Sequence, residues 1–321
     1  MSGGALEQVR QLLRQLVRAK PEIRPAILRP EDRTLYTTTP RAAANPLRFP
    51  GADAAGDWQQ LGSALCTAEQ LDTPAFHYWI GEIREEWRYH RKVWEFGYLL
   101  QALYERGCLA SGKRGLGFAV GQEALPSYFA SLGCEVVATD LGATDSRAAG
   151  WAESNEWAST VDVLNHKGLC APQLFRERVT FRPVDMNHVP ADLTGFDFTW
   201  SSCSFEHVGS IELGMAFVLR QMDCLVPGGV AVHTTEFNLT SNTSTVTKGR
   251  TVIFRRADIE TLVKRLHAAG HDVEPLDLTI GTHPLDWFVD ERPYSSHRHL
   301  RKRQKGYAAT SIGLIITKGG R

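Results

Sequence analysis

Arg114-Gly-Leu-Gly-Phe-Ala-Val-Gly-Gln-Glu-Ala-Leu-Pro126 runs from a short apolar stretch through a loop of small residues into a helix-forming stretch. The pattern predicts a strand over 115–118, a tight loop at Gly117, Ala119 and Gly121, and a helix over 123–132. Side chains this small let a ligand approach the main chain, and the helix behind them offers unpaired N–H groups at its start. Alone the loop is a weak signal, because small residues also stand wherever a strand and a helix pack closely.

The same alternation continues outward on the C-terminal side. Short β-branched runs at 135–139, 179–184, 196–201 and 229–234 alternate with helical runs at 146–165 and 211–224. Such a succession predicts an α/β chain with a Rossmann-like, doubly wound parallel sheet and crossover helices. A helix over 258–269 and strands over 271–278 and 310–317 then close the sheet with a late hairpin. Toward the N-terminus, 74–106 is aromatic and charged and reads as one or two helices, while 21–72 is rich in Pro, Ala, Gly and Thr and reads as a wrapping segment. The expected division is an N-terminal helical extension and lid over 1–108, followed by one α/β domain over 109–321.

Bulk composition narrows the partners. Lys plus Arg equals Asp plus Glu at 36 each, so no global field favours nucleic acid or an anionic membrane. The 6 cysteines lie far apart without a C-x-x-C pair, which argues against a zinc ribbon or a disulfide framework and makes a reducing cytoplasmic setting the simplest expectation. No apolar run is long enough to span a bilayer, and no signal-peptide pattern opens the chain. An amphipathic run over 5–20 reads as a packing or oligomer helix, which leaves a homo-oligomer open.

In doubly wound sheets ligands bind beyond the carboxyl ends of the strands. Asp140 closes Glu135-Val-Val-Ala-Thr-Asp, where a carboxylate can accept from both hydroxyls of a ribose, although a strand-ending Asp is also a common turn residue. Asp185 follows the next strand, placed to accept from an adenine amino group while Met186 covers the ring. Leu225-Val-Pro-Gly-Gly229 breaks a helix and starts a strand at once. Taken in order with Gly117-Phe-Ala-Val-Gly121 and Trp200-Ser-Ser-Cys-Ser-Phe-Glu-His207, these features resemble the motifs of class I S-adenosylmethionine-dependent methyltransferases over 109–318.

That resemblance implies a seven-stranded sheet whose last strand is antiparallel, with S-adenosylmethionine as cofactor and S-adenosylhomocysteine as product. It places methionine near Gly117, Phe118, Ala119 and Gly121, ribose at Asp140, and adenine at Asp185 and Met186, with Leu141, Ser201 and Ser202 completing the set. The loop departs from the family's three glycines at Ala119 and Glu123. Ala119 is a mild change. Glu123 adds a carboxylate that either receives the cofactor's ammonium group or caps the following helix, and the cap is preferred because it needs no ligand.

Methyl transfer to a hydroxyl needs alignment, exclusion of water and removal of a proton. His207 and His233 are the candidate bases, with Glu206 and Glu236 to orient them. The same groups could instead hold a divalent metal, as in family members with an E-x-x-E-H signature, but Cys203 stands at the first Glu and disfavours metal. Glu206-His207 could also simply begin a helix. Within the lid stretch Trp87 to Glu95, His90 and Arg91 are the candidate substrate contacts, together with Asn238 from His233-Thr-Thr-Glu-Phe-Asn238. The basic run Tyr294 to Lys305 reads as a solvated loop or a contact for an acidic group. The His-Arg-Lys-x-Trp-Glu and His-Thr-Thr-Glu-Phe-Asn patterns also resemble a bacterial subgroup associated with polysaccharide biosynthesis. This implies O-methylation of a sugar, glycan or other small polar acceptor. The alternatives are a cofactor-binding protein of the same fold without transferase activity, and a nicotinamide-dependent oxidoreductase.

Overall fold

The computed structural model describes residues 26–27, 46–52, 57–147, 157–158 and 160–320. The expected helix over 5–20 and the middle of the run over 146–165 lie outside them. A single twisted sheet of ten strands organises the rest. Its strands are β1 Ser63–Leu65, β2 Arg114–Gly117, β3 Glu135–Asp140, β4 Val179–Pro183, β5 Phe196–Ser202, β6 Leu225–Asn238, β7 Asp272–Val273, β8 Leu276–Asp277, β9 Lys302–Gln304 and β10 Tyr307–Thr317. The path across the sheet is β8-β1-β10-β6-β5-β2-β3-β4, with β7 and β9 also paired to β10. Strands β4, β3, β2, β5 and β6 are mutually parallel. β10 is antiparallel to β6, from Ala309 opposite Asn238 to Thr317 opposite Val230.

The parallel half and the antiparallel last strand are as expected, and the sheet is longer than seven strands for an identifiable reason. Left uncovered, the outer edge of β10 would be a row of unpaired N–H and C=O groups. Three short segments cover it in turn: β9 at Ala308 and Ala309, β1 at Ile312 and Gly313, and β7 at Ile316 and Thr317. β1 comes from the stretch expected only to wrap. The single strand expected over 271–278 divides at Pro275, which has no N–H to give a ladder. β7 stays on β10, and β8 moves out to pair in parallel with β1.

Helices α1 Pro74–Glu82 and α2 Arg91–Glu105 cover one face of the sheet with α3 Leu125–Ser131. Thr73 caps α1 by accepting from Phe76 N, and His90 caps α2 by accepting from Lys92 N. An apolar layer including Trp79, Trp94, Tyr98, Phe129, Phe198 and Trp200 fills this side. On the other face, α5 Ile211–Gln221 and α6 Arg256–Ala268 press Phe217, Ile259 and Leu262, with Phe254 from the segment before α6, against Phe118, Phe205 and Phe237 (α4 is Pro172–Arg178). The sheet itself is tightly packed beneath α2, because a Cβ at Gly313 would stand 2.2 Å from Tyr98 Cε1. Gly313→Val is therefore expected to lower stability by roughly 1–3 kcal/mol through overpacking, measured as a shift in the denaturant midpoint.

The basic run near the C-terminus differs most from expectation. Arg298–His299 pairs in parallel with Tyr89–His90, drawing the strap over the carboxyl end of the sheet. His299, Leu300, Arg301 and Lys302 are all buried. Each buried polar side chain here has found a partner, as burial demands. His299 Nδ1 is 2.7 Å from Asp290 Oδ2, Arg301 reaches Asp286 Oδ1 at 3.2 Å and Thr310 Oγ1 at 2.8 Å, and Lys302 Nζ donates to Glu236. No helix among the described residues is long and apolar enough to cross a membrane.

Candidate active site

The loop after β2 is pinned from both sides: Phe118 N donates to Trp200 O at 2.9 Å and Val120 N to Thr139 O at 3.0 Å. Ala119 and Gly121 both take left-handed backbone conformations, with φ of 48° and 52°. For Ala119 this is a strained choice, costing on the order of 1 kcal/mol. Gly117 has no room for a side chain, since a Cβ would stand 2.3 Å from Trp200 Cζ2. The side chain of Phe118 does not face the mouth; it packs edge-on to Phe217 at 5.0 Å on the opposite side of the sheet.

Asp140 ties this loop to the end of β3. Its Oδ2 accepts from Gly121 N at 3.0 Å and Ala158 N at 3.2 Å, and its Oδ1 accepts from Leu141 N at 2.8 Å. Burial outweighs the three amides and pushes its carboxyl up to about 6. Trp157 Nε1 donates to Leu141 O at 3.0 Å, which seats Trp157 and Ala158 beside the carboxyl. At the next strand end, Asp185 Oδ1 accepts from Asn187 N at 2.9 Å and Oδ2 from Arg147 at 2.8 Å. Met186 is buried in the apolar layer with Val184, so it is not presented as a ring cover.

Glu123 does not cap α3. That helix begins at Leu125, and its N-terminal position is Ala124, which makes no side-chain cap. Glu123 Oε1 instead accepts from the indole Nε1 of Trp200 at 2.6 Å.

A compact charged cluster occupies the ends of β5 and β6. From α2, Arg91 reaches inward to Glu95 Oε1 at 3.0 Å, Cys203 Sγ at 2.9 Å, Ser311 Oγ at 3.3 Å and Glu236 Oε1 at 3.2 Å. Lys92 Nζ stands 3.3 Å from the other oxygen of Glu95, which also accepts from Ser202 Oγ at 3.3 Å. Burial opposes ionisation of Glu95, but Lys92 and Arg91 hold it down at about 2. Arg91 and Lys302 likewise keep Glu236 below the usual carboxylate range against the effect of burial. Cys203 takes a left-handed φ of 51°, a second strained residue at the mouth.

His233 is not at the mouth. Strand alternation puts it on the opposite face from Glu236, where it donates to or accepts from Ser201 Oγ at 2.8 Å and meets Phe205 and Phe217 edge-on. Burial pushes it down to about 3, so it is a neutral core histidine, and Ser201 is occupied with it. His207 lies at the rim, with Nδ1 2.9 Å from Arg250 O and Nε2 3.8 Å from Glu206 Oε1. Glu206 Oε2 accepts from Thr235 Oγ1 at 2.9 Å. Asn238 spends its amide on the loop beyond β6: Nδ2 donates to Ser244 O and Thr245 Oγ1, and Oδ1 accepts from Thr240 N and Ser241 N. His90 is likewise engaged, capping α2 and stacking on His299 at 4.9 Å.

Ligand atoms of Cys203, Glu206 and Glu236 lie within 4.8 Å of one another, which is compact enough to consider a metal. The donor set does not fit one. The Arg91 guanidinium already stands against Cys203 and Glu236, Lys302 neutralises Glu236 further, and burial pushes the thiol well up. A resident cation has taken the place that a divalent ion would need.

Sequence reasoning missed Glu95, Lys302 and the Asp290–His299 pair. Glu95 carried a readable signal: it stands one helical turn after Arg91 within a helix whose other buried positions, Gln101 aside, are apolar or glycine. The other two are long-range encounters without a local trace.

These buried groups set a pH profile. Burial pushes His90, His233 and His299 down to about 3 from an ordinary 6.5, and pushes Glu123, Asp286 and Asp140 up to about 8, 7 and 6. From pH 8 to 6.5 the folded chain binds the extra protons, on Glu123 and Asp286, so stability rises as pH falls. From 6.5 to 4.5 the unfolded histidines take up protons that balance those on the folded carboxyls. Below 4.5 the unfolded carboxyls fill too, while Glu95 stays ionised to about 2, so stability falls. Thermal melts are expected to show their maximum between pH 4.5 and 6.5. A monotonic fall from pH 8 would contradict the burial of Glu123 and Asp286.

No family model matches the chain, and no curated protein matches it. Among solved structures, a DhpI–SAH complex is similar at 17% identity over 70% of this chain and 85% of that one, with a TM-score of 0.39. An S-adenosylmethionine-dependent methyltransferase from Clostridium acetobutylicum ATCC 824 is similar at 14% identity, over 76% and 97% of the two chains, with a TM-score of 0.40. The glycopeptide N-methyltransferase MtfA is similar at 14% identity, over 68% and 94%, with a TM-score of 0.41. Likeness of this degree carries no argument about activity, which rests on the site itself.

Proposed function

We propose that the chain is an S-adenosylmethionine-dependent methyltransferase that methylates a hydroxyl of a small polar acceptor, of the sugar or glycan class. The observation that carries this reading is a single juxtaposition. A pinned loop of small residues and a strand-ending Asp140 stand beside a buried charged cluster, all at the carboxyl ends of a doubly wound sheet with an antiparallel last strand.

When bound, the cofactor supplies an electrophilic methyl on a sulfonium centre. The main chain at Gly117 to Gly121 would receive its methionine end, because no side chain blocks the approach there. Asp140 would accept from ribose hydroxyls and Asp185 from the adenine amino group. The acceptor hydroxyl has to lose a proton. Among the described histidines that stand against a carboxylate here, His207 at 3.8 Å from Glu206, His188 at 3.3 Å from Asp185 and His299 at 2.7 Å from Asp290, His299 has the tightest base-and-orienter pairing. Burial, Arg91 and Lys302 hold that ring neutral and down at about 3 at rest, so proton transfer to Nε2 would depend on Asp290 stabilising the imidazolium as it forms. Arg91 and Lys302 would fix the cluster against which the acceptor is held.

Incubating the full chain with methyl-labelled S-adenosylmethionine and a panel of nucleotide sugars and glycans tests the reading. The expected result is label on a hydroxyl of one member of the panel; label confined to RNA or protein would overturn the acceptor class.

A further inference from the structure

We propose that Glu123 and Lys92 together clamp the amino-acid end of the cofactor, Glu123 taking its ammonium group and Lys92 its carboxylate. The inference rests on the S-adenosylmethionine reading and goes beyond it by assigning two side chains from different parts of the chain to one end of the ligand.

The geometry begins with Glu123. It follows the small-residue loop by two residues, outside the helix, and is only half-buried. One oxygen accepts from Trp200 Nε1 at 2.6 Å, while the other makes no hydrogen bond among the described residues. The same indole ring lies directly under Gly117, so Glu123 is held against the first residue of the loop through a shared ring. That second oxygen is not enclosed and faces water, where an arriving cationic group can reach it.

Lys92 completes the arrangement from the first turn of α2. Its Nζ stands 3.3 Å from Glu95 Oε2, and its side chain remains 32% exposed. Glu95 is already shared with Arg91, Ser202 and Ser311, so Lys92 has donors to spare. Its charge also acts on Glu123. Burial pushes the Glu123 carboxyl up to about 8; the Trp200 indole and Lys92 oppose this, and Asp140 and Glu95 add to it. An arriving ammonium group would therefore ionise Glu123 and displace its proton to solvent.

Calorimetric titration of the full chain with S-adenosylhomocysteine and with methylthioadenosine, which lacks the amino-acid end, tests the clamp. The wild-type chain is expected to prefer S-adenosylhomocysteine. Glu123→Gln and Lys92→Met are each expected to weaken it by about tenfold or more while leaving methylthioadenosine within about twofold. Buffers of different ionisation enthalpy are expected to show proton release on binding S-adenosylhomocysteine to the wild type and none for Glu123→Gln. If either variant folds poorly, the wild-type preference and proton release still decide. Unchanged S-adenosylhomocysteine affinity in both variants, equal weakening of both ligands, or a wild type that binds both alike would overturn the clamp. A wild type that binds neither ligand would overturn the cofactor reading itself.

Discussion

Replacing Arg91 with Met is expected to destabilise the chain by roughly 3–5 kcal/mol, because it strips the shared cation from buried carboxylates. Arg91 contacts Glu95, Glu236 and Cys203 at once, and Glu95 is fully buried. Lys92 and Lys302 remain, but each already serves one of those carboxylates. The loss should be largest near neutral pH and shrink on acidification, as the orphaned carboxylates become able to take up protons. Adding Glu236→Gln to Arg91→Met should restore part of the loss, giving a coupling energy of about 1–3 kcal/mol in a double-mutant cycle. Chemical denaturation reads both quantities. Strict additivity would show that Arg91 and Glu236 do not act as a pair.

The second large effect concerns turnover. With an acceptor that becomes labelled in the transfer assay, His299→Ala is expected to lower kcat by about 10²–10⁴-fold, the usual range for a positioned base. S-adenosylhomocysteine affinity should stay within about threefold, because no cofactor contact is assigned to this ring. Asp290→Asn should produce a smaller fall in kcat than His299→Ala, since it leaves the ring in place and removes only its orienting partner. His233→Gln, in contrast, should affect stability and leave kcat near wild type. Loss of turnover in His233→Gln with intact His299→Ala activity would reverse the assignment.

Much of the parallel half of the fold was legible because β2 to β6 are short apolar or β-branched runs separated by helical ones, and their ends moved by only a few residues. β1 was not legible. Ser63–Leu65 has no periodicity of its own and becomes a strand because the outer edge of β10 needs partners. At the site, Asp140 and the loop stand together at adjacent strand ends, as the order of motifs suggested. The misplaced histidine was avoidable in principle: His233 and Glu236 stand three positions apart on one strand, so they face opposite sides of the sheet. The same alternation separates Ser201, bonded to His233, from Ser202, bonded to Glu95. No local pattern could have joined Lys302 to Glu236 or turned the basic run inward. Those contacts depend on the strap pairing with Tyr89–His90, an event of tertiary packing.

The central claim is that the loop at Gly117 and the carboxylate of Asp140 form a site for S-adenosylmethionine. Its most direct test is a calorimetric titration of the full chain with S-adenosylhomocysteine and, separately, with NADH. Saturable binding of S-adenosylhomocysteine, weakened about tenfold or more by Asp140→Ala, with no heat from NADH, is the predicted result. Binding of NADH with no response to S-adenosylhomocysteine would contradict the account.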